Sequence, residues 1–361
     1  MSQPHPVPPT RDVDLTARTG HARRRAAAAV ALAAGAVAVL ASPAAAAVLT
    51  RSAATAAGES LTWLKAAVLG VVEGITEFLP VSSTGHLVVA SRLMGLPSRK
   101  GSAGLDAINT YTIAIQFGAI VAVAGVFWKR FVQMIEGLFG RDAEGRHLLW
   151  CLLVAFAPAA VLGAAFDSKI EEVLFGPWPV VVAWILGGVA ILALSGVLGG
   201  LSGDAPAPRD GAVFAPLRVV GMGPPPVGAT GVGAITVGQA LLVGVAQCVA
   251  LWPGISRSLA TILGALAVGM SMSVAVEFSF LLGFGTLTAA TLFKLVKDGS
   301  NMVDVFGVGR PGLGAVVAFV SAVAAVKWMI GYLQRHDLKV FAYYRIGIAI
   351  VTVGLLAAGT I

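Results

Sequence analysis

Long apolar runs separated by short polar connections dominate the chain. Six stretches with little or no charge are long enough to cross about 30 Å of hydrocarbon, and they lie near residues 108–128, 148–166, 178–200, 273–293, 312–333 and 341–360. A helix satisfies its own backbone hydrogen bonds, which a lipid-exposed segment must do. The pattern therefore predicts an all-α integral membrane protein with about six transmembrane helices.

Two further apolar segments, 61–95 and 236–270, are each interrupted near the middle by a polar motif that contains proline, LPVSSTGH in the first and WPGISRS in the second. Proline and glycine break a helix, and a broken helix at membrane depth is tolerated only where it is buried in protein or lines a cavity. We therefore predict that each segment is a re-entrant broken helix hairpin, which returns to the side from which it came.

The sequences around the two breaks resemble each other. LGVVEGITEFLPVSSTGHL and VGVAQCVALWPGISRSLAT share a glycine, an acid or amide three residues later, a proline and a hydroxyl cluster, with one residue of slippage. This similarity predicts an inverted-topology repeat, in which broken helices meet near the membrane midplane. The membrane-embedded domain, 61–361, then consists of a first repeat at 61–200, a cytoplasmic Pro/Gly-rich loop at 201–233 and a second repeat at 234–361.

Residues 1–60 form an N-terminal extension of a different kind. Arginines at 23–25 precede an alanine-rich apolar run, which is typical of either a signal peptide or a retained anchor helix. In both cases the arginines stay in the cytoplasm and residue 60 lies outside.

This starting point orients the later connections. The basic connections 129–147 and 334–339 then fall inside and the acidic connection 167–172 falls outside, as the positive-inside rule expects. Arg92 and the Arg99–Lys100 pair fall outside and count against this orientation.

The composition agrees with a membrane protein, since 57% of the residues are hydrophobic and 12% are charged, against about a quarter charged in soluble domains. Lys and Arg are in excess, but they lie between and at the ends of apolar segments, which indicates topology-setting loops and no nucleic-acid partner. Cys151 and Cys248 lie in apolar runs without ligand-like spacing, so no disulfide framework or zinc site is predicted. The sequence leaves a single chain and a homodimer both open.

The first broken segment contains two glutamates. Glu73 and Glu77 are four residues apart, so on a helix they lie on one face about one turn from each other. Two unpaired carboxylates that close repel, and a divalent cation, a shared proton or a basic partner would relieve the repulsion. Oxygen ligands suit Mg²⁺ or Ca²⁺. Because intramembrane acids are functional by default, we predict a functional pair, with structural ion pairing to neighbouring helices as the alternative.

Hydroxyl side chains follow the first break, at Ser82, Ser83 and Thr84. Such a cluster is typical of a helix N-cap, and the free N–H groups of a helix N-terminus also bind phosphate, so the two roles are compatible. His86, next to these serines and acids, is a candidate general acid or base.

The second break carries the complementary charge. Arg257 is the only charged residue between Val219 and Glu277, and its guanidinium needs an anion, which phosphate oxygens supply bidentately. Structural pairing of Arg257 with Glu73 or Glu77 across the repeat is the alternative. The arginine is accompanied by three hydroxyl side chains, those of Ser256, Ser258 and Thr261.

The motif EGITEFLPVSSTGH, together with PGISRS and the threonine three residues after it, resembles the undecaprenyl-diphosphate phosphatases of the bacitracin-resistance type, which are bacterial membrane enzymes. The match extends from about residue 61 to the C-terminus. The resemblance implies hydrolysis of a polyprenyl diphosphate lipid, undecaprenyl diphosphate, to undecaprenyl phosphate and inorganic phosphate. This reaction recycles the lipid carrier for peptidoglycan synthesis and gives bacitracin resistance. The resemblance also implies Mg²⁺ or Ca²⁺, and a site that faces the outer side of the plasma membrane.

Residue roles follow from the same resemblance. It assigns catalysis to Glu73, Glu77, Ser83 and His86, metal binding to Glu73 and Glu77, and diphosphate binding to Ser256, Arg257, Ser258 and Thr261. Our hypothesis is that Ser83 is the nucleophile, helped by His86 or an acid, and a metal-activated water that attacks directly is the alternative. Leu259 stands where the family usually has glycine.

A second class of function fits the same pattern. Inverted repeats with broken helices are typical of transporters, so a flippase for a polyprenyl phosphate lipid is the alternative reading. The combination of Ser83, His86 and an acid pair favours the enzyme.

Overall fold

The computed structural model describes residues 61–97, 102–201, 231–333 and 335–361. The regular elements of these ranges are all helical. Residues 1–60, most of the predicted loop 201–233 and the Arg99–Lys100 pair lie outside the described residues, so the predictions that concern them stay predictions. The helices are α1 (Trp63–Thr76), α2 (Ser83–Leu93), α3 (Ala103–Val126), α4 (Trp128–Leu138), α5 (Ala143–Leu174), α6 (Pro177–Leu201), α7 (Val237–Gln247), α8 (Arg257–Ala267), α9 (Met272–Phe306), α10 (Gly309–Leu333) and α11 (Lys339–Ala357).

Six of these helices, α3, α5, α6, α9, α10 and α11, are long and apolar enough to cross a membrane. Their candidate spans run from 19 to 35 residues, and about 20 residues are needed to cross the hydrocarbon core. They coincide with the six apolar stretches of the sequence. The prediction of an all-α membrane protein with six spanning helices is confirmed.

Each broken segment forms two short helices, as predicted. In the first segment α1 has 14 residues and α2 has 11, and in the second segment α7 and α8 have 11 each. At 1.5 Å per residue these helices are about 16 to 21 Å long, which is less than the hydrocarbon thickness. The depth of the two hairpins in a membrane stays a prediction.

The two hairpins have the same backbone design. Thr62 and Thr236 cap the first helix of each, and Ser82 and Ser256 cap the second. The separation along the chain from Thr62 to Thr236 equals that from Ser82 to Ser256. The repeat therefore has a constant register, and the slippage seen in the sequence is confined to the prolines.

Each repeat packs its first helix against a long helix of the other repeat. The α1 helix lies along α10, where a Cβ on Gly70 would overlap the backbone of Gly314. The equivalent helix α7 lies along α5, where a Cβ on Gly244 would overlap the backbone of Ala155. Because Gly70 and Gly244 have the same separation along the chain as the paired caps, the repeats interlock in the same way on both sides.

The hairpins end near opposite groups of connections. Arg92, in the last turn of α2, lines the same cavity as Asp106 and Glu172. After α8, the carbonyl of Val268 accepts a hydrogen bond of 3.0 Å from Nε2 of Gln239, in the first turn of α7. The basic connection 129–147 also lies beside the start of the second repeat, since His147 Nε2 lies 2.7 Å from the Ile235 carbonyl oxygen, which it can reach as a hydrogen-bond donor.

Candidate active site

The two breaks are in direct contact at the centre of the described residues. Leu79, in the first break, offers its carbonyl oxygen to the second break. This oxygen accepts hydrogen bonds from Ser258 Oγ at 3.0 Å and from Ser256 Oγ at 3.4 Å. The backbone before Ser83 is thereby attached to the start of α8, and motifs that are far apart in the sequence form one site.

Glu77 is at the centre of this site. One carboxylate oxygen, Oε2, accepts a short hydrogen bond from Ser83 Oγ. The other, Oε1, lies 3.2 Å from Nη2 of Arg257. Both Glu77 and Ser83 are buried. The pairing of Arg257 with Glu77, given above as the alternative to a bound phosphate, is thus present, and the acid that touches Ser83 is the same residue.

Arg257 is held on several sides. Its Nη1 donates to the carbonyl of Ser279 at 3.2 Å, and its guanidinium carbon lies 5.3 Å from the centroid of the Phe78 ring, within the range of a cation–π contact. Its Nε has no hydrogen-bond partner within the described ranges. A buried donor without a partner is costly, so Nε is a donor that a bound anion can use.

Glu73, one turn before Glu77, is completely buried, and neither carboxylate oxygen has a hydrogen-bond partner among the residues that the structure describes. A carboxylate in this situation requires a proton or a cation. Carboxylate oxygens suit Mg²⁺ or Ca²⁺, but Glu73 and Glu77 alone are an incomplete ligand set. Among the described residues no group of three or more His, Cys, Asp or Glu side chains could hold a metal ion. Mg²⁺ is commonly bound by one or two carboxylates together with substrate phosphates, so the pair fits a cation that arrives with a phosphorylated substrate.

The hydroxyl groups near Arg257 are engaged within the protein. Ser256 and Ser258 share a hydrogen bond of 3.0 Å, and Thr261 Oγ1 lies 2.5 Å from Ser279 Oγ. Ser258 and Thr261 have no exposed surface. In this structure the three side chains attach the start of α8 to its surroundings, and their predicted contact with a diphosphate stays a prediction.

His86 is hydrogen-bonded to residues other than Ser83. Its Nδ1 is 2.6 Å from the carbonyl oxygen of Ser82, which can only accept, and its Nε2 is 2.7 Å from the hydroxyl of Tyr344. The imidazole is stacked on the Tyr344 ring, with centroids 5.6 Å apart, and meets the edge of Trp184. Of the two helpers considered for Ser83, the acid accepts its hydrogen bond, and the histidine contacts Tyr344 of α11.

Sequence reasoning missed several residues of this region. Tyr344 and Arg345, neighbours on α11, contact His86 and the two breaks, and Trp184 Nε1 donates to the Val81 carbonyl at 2.9 Å. A signal for Arg345 was present, because it is the only charged residue in the apolar stretch 341–360.

A cavity of about 390 Å³ lies beside α2. Thr84, which follows Ser83 directly, belongs to its lining, and so does Arg92 in the last turn of the same helix. The cavity therefore extends from Thr84, next to Ser83 in the sequence, to Asp106 and Glu172.

The site thus belongs to an integral membrane protein in which two broken helical segments with similar backbones bring an acid, a serine and an arginine together. The family model for the bacitracin resistance protein BacA matches residues 66–351. The chain is 40% identical over 298 residues to undecaprenyl-diphosphatase 2 of Rhodospirillum rubrum, which covers 82% of this chain and 96% of the relative. It is 39% identical over 292 residues to relatives named undecaprenyl-diphosphatase in Burkholderia mallei and undecaprenyl-diphosphatase 2 in Burkholderia pseudomallei, with 80% and 95% covered. The chain belongs to the bacitracin resistance protein BacA family, as the sequence motifs predicted.

Proposed function

We propose that this protein is a membrane phosphatase that hydrolyses undecaprenyl diphosphate to undecaprenyl phosphate and inorganic phosphate. The observation that carries the proposal is the buried contact of Ser83 with Glu77 and of Glu77 with Arg257. This arrangement places a hydroxyl, its proton acceptor and a cation at one point. The names of the relatives point to the same reaction.

In the proposed reaction Ser83 Oγ attacks the terminal phosphorus, and its proton passes to the Glu77 carboxylate that already accepts its hydrogen bond. The bond to the bridging oxygen breaks, and undecaprenyl phosphate leaves. Arg257 neutralises charge on the phosphoryl oxygens through its fork of donors. Water then attacks the phosphorus of the phosphorylated serine, and the bond from phosphorus to Ser83 Oγ breaks. Ser83 Oγ takes back its proton from Glu77, and inorganic phosphate leaves with the oxygen of the water.

The scheme includes a metal ion and has one alternative. Glu73 and Glu77 would hold Mg²⁺ or Ca²⁺, which supplies positive charge to the phosphate oxygens when bound. Direct attack by a metal-activated water is the alternative to attack by Ser83. In both versions His86 positions the first break through its hydrogen bonds with the Ser82 carbonyl and the Tyr344 hydroxyl.

The proposal includes the location. The connection 129–147 carries Lys129, Arg130, Arg141 and Arg146, and the positive-inside rule assigns such a connection to the cytoplasm. The opposite face, where the cavity beside α2 reaches Arg92 and Glu172, would then face the outer side of the plasma membrane. There the product is recycled as a lipid carrier for peptidoglycan, and bacitracin resistance follows. The homodimer stays a prediction.

The test is release of inorganic phosphate from undecaprenyl diphosphate by the purified protein in detergent, with and without a chelator. We expect chelator-sensitive release by the wild type and a loss of about 10²- to 10⁴-fold in Glu77→Gln, Ser83→Ala and Arg257→Ala. Matched controls with the same chemical change at exposed positions are Glu136→Gln, Ser273→Ala and Arg141→Ala.

The controls should retain wild-type rates and melting temperatures. Removing one partner of the buried Arg257–Glu77 pair costs about 3 to 5 kcal/mol, so Glu77→Gln and Arg257→Ala should melt at lower temperatures, and their rates are measured below their own melting transitions. Release that persists under chelator would remove the metal from the proposal and leave the phosphatase. A wild type that binds the lipid and releases no phosphate with any metal would overturn the phosphatase and make lipid transport the leading account.

A further inference from the structure

Arg345 is a completely buried arginine in the middle of α11. In the part of the chain that the structure describes it forms no ion pair, and its partners are four backbone carbonyl oxygens. Nε donates to Trp184 at 3.3 Å, and Nη2 donates to Ala183 at 2.9 Å. The remaining two acceptors belong to the two breaks. A buried charge in a membrane protein is costly and marks a function, so these two contacts are informative.

The two acceptors in the breaks are equivalent positions of the repeat. Nη1 donates to the carbonyl of Pro80 at 3.2 Å, and Nη2 donates to the carbonyl of Gly254 at 2.8 Å. Pro80 and Gly254 have the same separation along the chain as the two caps, Ser82 and Ser256. A single guanidinium therefore joins the same atom of both repeats, two residues before the cap of each second helix.

We infer that Arg345 is a positioning residue that holds the two breaks at the separation at which Arg257 reaches Glu77. Carbonyl groups outside a helix need donors when they are buried. The planar fork of arginine can serve two acceptors on different chain segments at once, whereas the ammonium group of lysine is a single point on a flexible stem. We call the two contacts of Arg345 with Pro80 and Gly254 the clamp. The clamp is argued from these contacts, and its effect on catalysis rests on the proposed function.

The neighbouring helix is shaped for this guanidinium. A Cβ on Gly187, in α6, would lie 2.6 Å from Arg345 Cζ, so the arginine occupies space that only glycine leaves free. Gly254 has a φ of +102°, and a Cβ there would lie 2.7 Å from the Ala183 Cβ. The approach of α6, the second break and Arg345 thus depends on glycine at both points.

The first test is hydrogen exchange of the backbone amides in wild type, Arg345→Lys and Gly187→Ala. Gly187→Ala keeps the arginine and displaces its guanidinium, so the proposal stays testable when Arg345→Lys folds poorly. Gly347→Ala is the matched control, because a Cβ at this position of α11 has no neighbour within 4 Å. We expect amides of both breaks, 77–82 and 252–256, to exchange about tenfold faster in the two variants, with α3 unchanged and the control like wild type. Faster exchange in one break alone, or in neither, would overturn the clamp.

The second test is a double-mutant cycle on phosphate release. If Arg345 acts through the placement of Arg257, Arg345→Lys should lower kcat about tenfold in the wild-type background and leave KM within about twofold. In the Arg257→Lys background the same change should lower kcat by less than about twofold. Equal losses in both backgrounds would contradict positioning and indicate general destabilisation. A wild type without phosphatase activity would remove the proposed function, and the exchange measurement would still decide the clamp.

Discussion

The two breaks of this protein share a backbone and differ in chemistry. Ser82 and Ser256 both have positive φ, 73° and 77°, which is uncommon for residues other than glycine. Each side chain accepts a hydrogen bond from the amide three residues later, at 3.4 Å from Gly85 and 3.3 Å from Leu259. The chain therefore turns into α2 and into α8 by the same local geometry.

The residues carried on this shared backbone have diverged. In the constant register set by the two caps, Ser83 corresponds to Arg257, and Glu77 corresponds to Leu251. A serine and a glutamate of one repeat thus meet an arginine of the other repeat. The comparison teaches that the duplicated backbone sets where these side chains meet, while the differences between equivalent side chains give the meeting point its hydroxyl group and its charges.

Among the further changes that compare equivalent positions of the two repeats, the largest effect is expected where one repeat has a carboxylate and the other an amide of the same shape. Glu73 corresponds to Gln247 in the same register, and the polar atoms of both side chains are buried without a hydrogen-bond partner in the described residues. We expect Glu73→Gln to lower phosphate release by about 10²- to 10³-fold, because it removes one of the two carboxylates proposed to hold the divalent cation. Its melting temperature should not fall, since the carboxylate has no described partner to lose.

The reverse change is the control for this prediction. Gln247→Glu puts an unpaired carboxylate at an equally buried position of the second break, at a cost of about 2.5 to 3.5 kcal/mol if it stays charged. We expect a lower melting temperature in detergent and no increase in the rate of phosphate release by the folded protein. Equal activity losses in the two variants would show that the two positions are not functionally distinct.

The sequence predicted the elements of this comparison better than their contacts. Apolar stretches long enough to span a membrane, and proline-containing breaks, are local signals, so the six spans and the four short helices could be predicted. The contact of Arg257 with Glu77 was one of two open alternatives, because charge alone does not separate a substrate anion from a carboxylate. The partner of His86 was out of reach, since Tyr344 lies 258 residues further along the chain. Arg345 was overlooked because a single charge disappears in the average hydropathy of an apolar span.

A smaller effect is expected at Gly85 and Leu259, which lie two residues after Ser83 and Arg257. Gly85 lies against α6, where a Cβ would be 2.7 Å from the Trp184 ring, whereas Leu259 at the equivalent position packs in the hydrophobic core. We expect Gly85→Ala to reduce the free energy of unfolding by about 1 to 3 kcal/mol, because it overpacks the contact that fixes Trp184 on the first break. The volume-conserving change Leu259→Met should cost less than about 1.5 kcal/mol.

Gly285→Ala is the matched helical control, since a Cβ at this position has no neighbour within 4 Å. It should leave stability unchanged or raise it slightly by restricting the unfolded chain. Thermal unfolding in detergent, followed by tryptophan fluorescence, measures all three variants. A stable Gly85→Ala protein would mean that α6 can move away from α2 without cost, and the tight packing at the first break would then not be required.

The smallest effect is the difference in stability between two variants in which glycine replaces Ser82 or Ser256, the two cap residues. Glycine adopts a positive φ without strain, which removes a strain of about 1 kcal/mol at Ser82. Replacing a serine cap by glycine costs only about a few tenths of a kcal/mol. Ser82→Gly should therefore stabilise the protein by about 0.5 to 1 kcal/mol. Ser256 differs because its hydroxyl also bonds the Leu79 carbonyl and Ser258 Oγ. Losing these bonds costs about 0.5 to 1.5 kcal/mol, so Ser256→Gly should leave stability near the wild-type value. A difference of about 1 kcal/mol between these two variants would measure the hydrogen bonds that Ser256 adds to the shared cap, including the one that joins the repeats. Equal shifts would mean that the Ser256 hydroxyl adds nothing to the contact between the breaks, which would then depend on Ser258, Arg345 and the Arg257–Glu77 pair.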